Sequence, residues 1–267
     1  MSTRVRASLF QGPEMSGDVA CNLDAIEHAA TRSAEAGSAV LVTPEMSATG
    51  YDIGDLVHER AESSDGPIFL AVSEIARRVG VAVVYGYPER AGGRVYNSVQ
   101  VVDASGTSIA RYRKTHLFGD LDRGRFLPGE ELVVQFELGG IVCGLLTCYD
   151  VEFPETVRAH ADAGTQWLVV PTGLMVPFDI VATHIVPARA YESQVFVTYV
   201  NRCGRERDLQ YCGSTCAIAP DGTELGRAGR GEATLTVDID PAALDSSRAI
   251  NTHLDDRRRD LYTPRTG

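Results

Sequence analysis

One cysteine of this chain lies where a catalytic nucleophile could be formed. Cys148 closes the apolar run IVCGLLTC and precedes YDVEFPE, in which Pro154 begins a predicted helix. A thiol at such a strand-to-helix junction is close to backbone N–H groups, and the N-terminus of the helix favours the thiolate. Because a lone cysteine is more often a small buried hydrophobe, this position alone does not identify a nucleophile.

A base and an electrophilic helper follow two other predicted strands. Glu45 comes directly after AVLVTP, and Lys114 follows a strand that ends around residues 109–112. A carboxylate can carry a proton from a thiol to a leaving amine, and an ammonium can stabilise an oxyanion. Each residue also has a simpler explanation, since a loop glutamate is often solvated and a lysine in RYRK is usually surface charge.

The elements that position these residues are short apolar, β-branched runs alternating with alanine-rich helical stretches. Helices are predicted over about residues 19–36, from Pro67 to Val79, after Pro154 and over about residues 178–192. The other predicted elements are strands, and they include RVRASLFQ, AVLVT, WLVVP, VFVTYVN and two hairpins, VAVVYGYPE with VYNSVQVV and ELVVQFEL with IVCGLLTC. Hairpins and crossover helices in one chain favour a sheet-rich α/β sandwich with helices on its outer faces.

Neither a linker nor a repeat divides the chain, so we expect one domain over residues 1–267, ending in a basic, extended tail RRRDLYTPRTG. The formal charge of −11 argues against nucleic-acid binding, which needs a basic face. No apolar run approaches the roughly 18–20 residues of a membrane span, and the N-terminus lacks a signal-peptide core. We therefore expect a cytoplasmic protein without membrane contacts.

Six cysteines are present, but none forms a CxxC pair, and no HExxH or zinc-type cluster occurs. The sequence also lacks a GxxxxGK[ST] loop and a GxGxxG fingerprint. We expect free thiols, no metal and no cofactor, with the five cysteines other than Cys148 in structural, mostly buried positions.

Three segments in this order, VTPEMSATGY, YRKTHLF and LLTCYDVEFPE, resemble the signature regions of the nitrilase, or carbon–nitrogen hydrolase, superfamily. The resemblance extends to PTGLM, VPARAYESQVFVTYVNRCG and GSTCAIAPDG. It implies a four-layer αββα sandwich, and a homodimer or higher homo-oligomer in which the tail, about residues 248–267, contacts a partner subunit. It also implies that Glu45 is the general base, Lys114 the electrostatic stabiliser and Cys148 the nucleophile that forms a thioester. The backbone N–H of Tyr149 would complete the oxyanion site.

Many members of the superfamily carry a second glutamate in the loop after the lysine. Here that loop reads FGDLDRGRFLPGE, with no glutamate before the Pro-Gly pair. Asp122 is the first candidate for this fourth role and Asp120 the second, although either could be a turn residue.

The residues after the nucleophile narrow the substrate class. Nitrile-cleaving members have Trp-Glu there, whereas this chain has Tyr149 and Asp150, as in amidase branches. Members that act on ω-amides show CYDxRFPE, and this chain has Glu152 in place of that arginine. If Glu152 faces the pocket it repels anionic substrates; as an exposed acid in a first helical turn it would only favour the helix N-terminus.

We therefore expect an amidase for a small neutral or amine-bearing aliphatic amide. Tyr51, Met175 and Phe178 are candidate pocket residues, and His116 and His184 are interpreted as structural. An N-carbamoyl-amine amidohydrolase, a nitrilase and a non-catalytic scaffold of the same fold are the alternatives.

Overall fold

The fold was taken from a computed structural model, which describes residues 4–13 and 16–262. Its regular elements follow one another as β1 Val5–Gln11, α1 Val19–Glu35, β2 Val40–Val42, α2 Leu56–Arg60, α3 Pro67–Val79, β3 Ala82–Ala91, β4 Arg94–Val102, β5 Ser108–Arg113, α4 Gly119–Arg123, β6 Val134–Leu138, β7 Ile141–Leu145, α5 Pro154–Asp162, β8 Trp167–Pro171, α6 Val186–Ser193, β9 Phe196–Val200, β10 Arg205–Glu206, β11 Leu209–Gln210, β12 Cys216–Ile218, β13 Glu224–Arg227, β14 Ala233–Ile239, α7 Pro241–Ile250 and α8 Arg259–Tyr262. A 3₁₀ turn covers Cys148–Glu152, and a π-helical turn covers Val181–Ile185.

Two six-stranded sheets form the centre of the molecule. Their strand orders are β14-β1-β2-β3-β4-β5 and β13-β12-β9-β8-β7-β6. In each sheet the middle strands are parallel, β1 to β2 to β3 in one and β7 to β8 to β9 in the other, and antiparallel strands flank them. The carboxyl ends of the parallel strands therefore lead into the loops that carry Glu45 and Cys148.

Alternation along β2 shows how the layers pack. Val40 and Val42 belong to the apolar cluster that also contains Val170 of the second sheet. Leu41, between them, lies in a separate cluster with Ile26 of α1, in which α3 also takes part. Since successive side chains of a strand point to opposite faces, one face of the first sheet packs on the second sheet and the other on α1 and α3. Helices α5 and α6 cover the second sheet, which gives the expected αββα sandwich.

The sequence prediction was accurate for the long elements and wrong in part of the tail. Both hairpins form, and α3 begins at Pro67 and ends at Val79, followed by Gly80 with φ +74°. The predicted extended tail is instead helical at Arg259–Tyr262, and its last residues, 263–267, lie outside the described residues. None of the helices in the described part of the chain is long and apolar enough to cross a membrane.

Candidate active site

Glu45 is carried by a tight loop after β2. Its backbone N–H donates to the carbonyl of Thr172, beyond β8, over 3.3 Å. The next residue, Met46, has a left-handed backbone with φ +55°. Gly86 of β3 faces this loop so closely that a Cβ there would lie 2.3 Å from the nitrogen of Met46. A glycine at this point of β3 is therefore required for the loop to bring the Glu45 side chain into the interior, where it is fully buried.

Lys114 follows β5 directly and is also fully buried. Its Nζ donates to Oε1 of Glu45 over 2.8 Å and to Oδ2 of Asp122 over 2.7 Å. Burial acts to lower the pKa of the lysine, but the charges of Asp122 and Glu45 outweigh it and hold that pKa well above its ordinary value. Lys114 therefore keeps its positive charge inside the protein.

Asp122, on the short helix α4, is held at two further points. Its Oδ2 accepts the backbone N–H of Phe118 over 2.9 Å, and its Oδ1 accepts the hydroxyl of Tyr51 over 2.8 Å. Asp120, on the same helix, is exposed. Of the two candidates for the fourth role, the structure brings Asp122 to the lysine and leaves Asp120 outside.

Cys148 opens the 3₁₀ turn with φ +47°, a sharp backbone turn at the end of the segment that leaves β7. Only 7% of the residue is exposed. Burial, followed by the negative charge of Glu45, raises the pKa of the thiol, while Lys114 and polar groups of Thr172 and Gly173 act more weakly in the opposite direction. The resting cysteine is therefore a neutral thiol.

The two carboxylate oxygens of Glu45 have different surroundings. Oε1 accepts from Lys114 and from Nδ2 of Asn97, at 2.7 Å. Oε2 is buried, and no described residue donates a hydrogen bond to it. Burial, with the nearby charge of Asp122, raises the pKa of Glu45 although Lys114 opposes this. One oxygen is thus fixed by two donors and the other is available for a proton.

Asp150 joins the loop after Lys114 to the turn after Cys148. It accepts hydrogen bonds from the hydroxyls of Tyr112 and Thr115, over 2.8 and 2.9 Å, and from the backbone N–H of His116 over 2.8 Å. The ring of His116 stacks on Phe153 with centroids 4.1 Å apart. His116 therefore lies in a packed structural position, and His184 is exposed on the π-helical turn.

The candidate pocket residues separate into buried and exposed members. Tyr51 is buried, and its ring centroid lies 5.7 Å from Nζ of Lys114. Met175 is buried in the same small apolar cluster as Tyr51. Phe178 is 41% exposed, and its ring meets that of Phe118 edge-on with centroids 5.7 Å apart. The ring of Tyr149 also meets that of Phe118 edge-on, with centroids 5.4 Å apart.

Glu152 is half-buried, and its backbone carbonyl accepts from Arg189 over 2.7 Å. Burial raises the pKa of its carboxyl, and the charges of Lys114 and then Arg189 act against this shift. Glu152 is therefore not a fully solvated first-turn acid.

Sequence reasoning missed three buried polar residues that contact Glu45 or the loop that follows it. Asn97 lies within β4, where it is followed by Ser98 and Gln100 among apolar residues, so nothing in the strand sequence distinguishes it. Arg202 and Glu206 follow β9, in the segment VNRCGRE. Their hydrogen bonds reach back to the loop of Glu45 across more than 150 positions of the chain.

The remaining cysteines are all free. Four of them are buried, but Cys21 is exposed on α1, which corrects the expectation of a buried position for it. Within residues 4–13 and 16–262, no group of three or more His, Cys, Asp or Glu side chains has an arrangement that could hold a metal ion.

The chain matches the family model described as "Carbon-nitrogen hydrolase" over residues 6–249. This chain belongs to the carbon–nitrogen hydrolase, or nitrilase, superfamily. Its relatives include the (R)-stereoselective amidase of a Pseudomonas species, 36% identical over 95% of this chain and 92% of that protein. The 2-oxoglutaramate amidase of Bacillus subtilis is 34% identical over 84% of this chain and 86% of its own length.

Solved structures agree with this assignment. A double mutant of the amidase from Nesterenkonia sp. AN1, in a complex with acrylamide, has a TM-score of 0.89 with 33% identity, and the match covers 97% of this chain and 95% of that one. This chain is therefore an enzyme, an amidase that hydrolyses non-peptide carbon–nitrogen bonds.

Proposed function

We propose that this amidase cleaves a small neutral or amine-bearing aliphatic amide to the carboxylic acid and ammonia through a thioester on Cys148. The observation that carries the proposal is the asymmetry of Glu45, whose Oε1 is fixed by Lys114 and Asn97 while its buried Oε2 receives no hydrogen bond from the described residues. A carboxylate held in this way is oriented for proton transfer with one oxygen free.

In acylation, Oε2 of Glu45 takes the proton of the Cys148 thiol as the sulfur attacks the carbonyl carbon of the amide. The raised pKa values of both groups suit this step, since the thiol is neutral at rest and the glutamate binds a proton more readily than an exposed one. Glu45 then returns the proton to the amide nitrogen. The carbon–nitrogen bond breaks, ammonia leaves, and the acyl group remains on the sulfur.

The negative charge that develops on the carbonyl oxygen needs fixed positive density. Lys114 supplies a charge that its two carboxylate partners maintain, and the backbone N–H of Tyr149, next to the nucleophile in the 3₁₀ turn, would be the second donor. Asp122 and Tyr51 hold the ammonium in place, so it need not reorganise during the reaction.

In deacylation, a water molecule enters the position that ammonia has left. Glu45 removes a proton from this water, the resulting hydroxide attacks the thioester carbon, and the carbon–sulfur bond breaks. The proton returns from Glu45 to the thiolate of Cys148, and the acid is released. Each proton therefore passes through the same oxygen of Glu45.

The charges around the site favour a substrate without a carboxylate. Glu45 and Asp122 both pair with a single lysine, Lys114, and the half-buried Glu152, four residues after Cys148, adds a third carboxyl group to this part of the chain. An anionic substrate would meet this excess of negative charge in a region of low dielectric constant. The acrylamide complex of the Nesterenkonia amidase, with a small neutral amide, supports the same substrate class.

An ammonia-release screen tests the substrate proposal, with Cys148→Ala as the control. The panel would contain aliphatic amides, amino-acid amides, N-carbamoyl amines, nitriles and ω-amides of 2-oxo acids. We expect the first two groups to be turned over at least about 10-fold faster than the ω-amides, in keeping with about 1.4 kcal/mol of charge repulsion.

The other outcomes identify the alternatives. Carbon dioxide among the products would indicate carbamoyl hydrolysis, and acid from nitriles alone would indicate a nitrilase. Comparable turnover of a 2-oxo acid ω-amide would overturn the assignment of a neutral or amine-bearing substrate. No ammonia from any compound, together with no acyl adduct on Cys148, would favour a scaffold.

We also propose that the enzyme works as a homodimer or larger homo-oligomer in which the tail, about residues 248–267, contacts a partner subunit. The exposed side chains of Ile250, Leu261 and Tyr262 support this, because apolar groups on one segment are commonly covered by another chain. Light scattering of the full chain and of a variant ending at residue 247 would test it. The same number of subunits in the shortened variant as in the full chain would contradict the role of the tail.

A further inference from the structure

A buried arginine outside the Glu45–Lys114–Cys148 set contacts the backbone of the catalytic loop. Arg202, only 1% exposed, follows β9. Its Nε donates to the carbonyl of Glu45 and its Nη2 to the carbonyl of Met46, both over 3.2 Å, while its Nη1 donates to Oε2 of Glu206 over 2.8 Å. The planar guanidinium thus contacts two successive carbonyls and one carboxylate, which a lysine ammonium cannot do in one geometry.

Glu206, the partner of this arginine, contacts the far end of the same loop. Its carboxylate accepts the backbone N–H of Tyr51, over 3.1 and 3.2 Å to its two oxygens, and that of Asp52 over 2.8 Å. The hydroxyl of Tyr211 donates to it over 2.6 Å. Burial acts to raise the pKa of Glu206, but Arg202 and these donors outweigh it and hold that pKa below its ordinary value. The carboxylate therefore stays ionised inside the protein.

The loop between these two contacts contains a strained residue and positions the proposed catalytic residues. Met46 has φ +55°, a conformation that costs a side-chain-bearing residue on the order of 1–3 kcal/mol and persists only where neighbours enforce it. Glu45 precedes this strained residue. At the other end of the loop, the hydroxyl of Tyr51 fixes Asp122, which in turn fixes Lys114. Both the base and the lysine thus depend on the position of one loop.

We propose that the Arg202–Glu206 ion pair is a positioning device that holds both ends of the 45–52 loop, and thereby aims Glu45 at Cys148. The inference rests on the proposed function for the role of Glu45. Arg202 and Glu206 are positioning residues, because they act through the backbone of the loop.

The test compares Arg202→Lys with Arg248→Lys. Lysine at 202 keeps a charge for Glu206 but loses the simultaneous contacts with the two carbonyls. Arg248, on α7, is a control because it donates to the carbonyl of Gln194 and contacts none of the catalytic residues. For Arg202→Lys we expect kcat to fall by about 100-fold, the effect of a displacement near 1 Å, with KM little changed. Its pH–rate profile should also shift, since Glu45 loses its fixed surroundings.

Both lysine variants should lower the unfolding temperature, and Arg248→Lys should keep the kcat and the pH profile of the parent enzyme. A folded Arg202→Lys variant with the parent kcat and profile would overturn the proposal. So would a loss of kcat that equals the loss of folded protein.

If Arg202→Lys does not fold, Tyr211→Phe removes one donor from Glu206 and leaves the ion pair intact. It should lower kcat by roughly 10-fold, as one hydrogen bond to a charged group is worth about 1.5 kcal/mol, and an unchanged kcat would contradict the inference. The rate of Cys148 alkylation by iodoacetamide as a function of pH provides a readout that needs no substrate. If the parent enzyme hydrolyses no amide, the proposed function fails, whereas a shifted alkylation profile in Arg202→Lys alone would still support the positioning role.

Discussion

Glu45, in the loop after β2, and Glu89, near the carboxyl end of the neighbouring strand β3, are both buried carboxylates. They differ in how their two oxygens are paired. Both oxygens of Glu89 are paired, Oε2 with Ser98 and Arg113 at 2.7 and 3.0 Å, and Oε1 with Arg113 at 2.6 Å. Glu45 has one paired oxygen and one without a described donor. Burial acts to raise the pKa of each, but the hydrogen bonds of Arg113 and Ser98 reverse this for Glu89, whose pKa is lowered, while that of Glu45 stays raised.

Under the proposed mechanism, Glu89 is a structural carboxylate and Glu45 is a catalytic one. A fully paired carboxylate stabilises the fold and has no oxygen left for chemistry. A half-paired one is kept in place by its first oxygen and can bind and release a proton on the second. Substitutions at four positions test this difference, and Cys148→Ala is expected to have the largest effect on kcat.

Cys148→Ala should abolish amide hydrolysis, with a loss of at least about 10⁴-fold in kcat, because no other group can form the thioester. The unfolding temperature should change little, since the substitution removes a single side-chain atom, the sulfur, and no charged group. Ammonia release and calorimetry on the purified variant would measure both. Residual activity within 100-fold of the parent would mean that the nucleophile is another residue.

Lys114→Met should lower kcat by about 10²–10³-fold, the usual loss for one oxyanion donor of about 3–4 kcal/mol. Stability should fall as well, because Glu45 and Asp122 would then face each other without a counter-charge. Steady-state kinetics at several pH values would test this. A variant with normal kcat would exclude the lysine from oxyanion stabilisation.

Asp122→Asn should have a smaller effect, because the amide keeps one oxygen for Lys114 and can donate to Tyr51. The loss of a charged hydrogen-bond partner is worth about 1.5–3 kcal/mol, or roughly 10- to 100-fold in kcat. Asp120→Asn, on the same exposed helix turn, is the matched control and should behave as the parent. Equal effects of the two substitutions would show that Asp122 has no special role.

Glu89→Gln should leave kcat unchanged and lower the free energy of unfolding by about 1–3 kcal/mol at neutral pH. Because the pKa of Glu89 is lowered in the folded state, its stabilisation is present above the ordinary glutamate pKa of about 4.3 and is lost as the pH falls through the folded value. The difference between parent and variant in denaturant titrations should therefore shrink in acid. A difference independent of pH would show that the charge of Glu89 does not stabilise the fold.

The sequence was sufficient for the parts of the molecule that depend on local pattern. Gly139 and Gly140 mark the turn between β6 and β7, and Pro67 and Gly80 bound α3, because these residues act on their own backbone. The proposed catalytic set also came from local segments, each placed after a strand. The position of α4 could not be predicted in this way, since Asp122 on that short helix accepts the hydroxyl of Tyr51, which is distant in the chain, as well as the N–H of Phe118.

Contacts between residues that are far apart in the chain could not be predicted from the sequence. Nothing near Asn97 indicates that its amide meets Glu45, 52 positions away in the chain. The same is true of Arg202, whose bond to the carbonyl of Glu45 spans 157 positions. These residues are polar exceptions within or beside buried strands, and only the fold shows which loop they face.

Replacement of Glu45 by Gln, with Glu89→Gln as its matched partner, tests the central claim most directly. Glutamine can still accept from Lys114 and Asn97 on one side, but it cannot bind a proton on the other. With a small aliphatic amide, we predict that Glu45→Gln loses about 10²–10⁴-fold in kcat/KM while staying folded, and that Glu89→Gln keeps the parent value. If Glu45→Gln retains kcat/KM within a few-fold of the parent, or if both variants lose activity equally, the free oxygen of Glu45 is not the proton carrier.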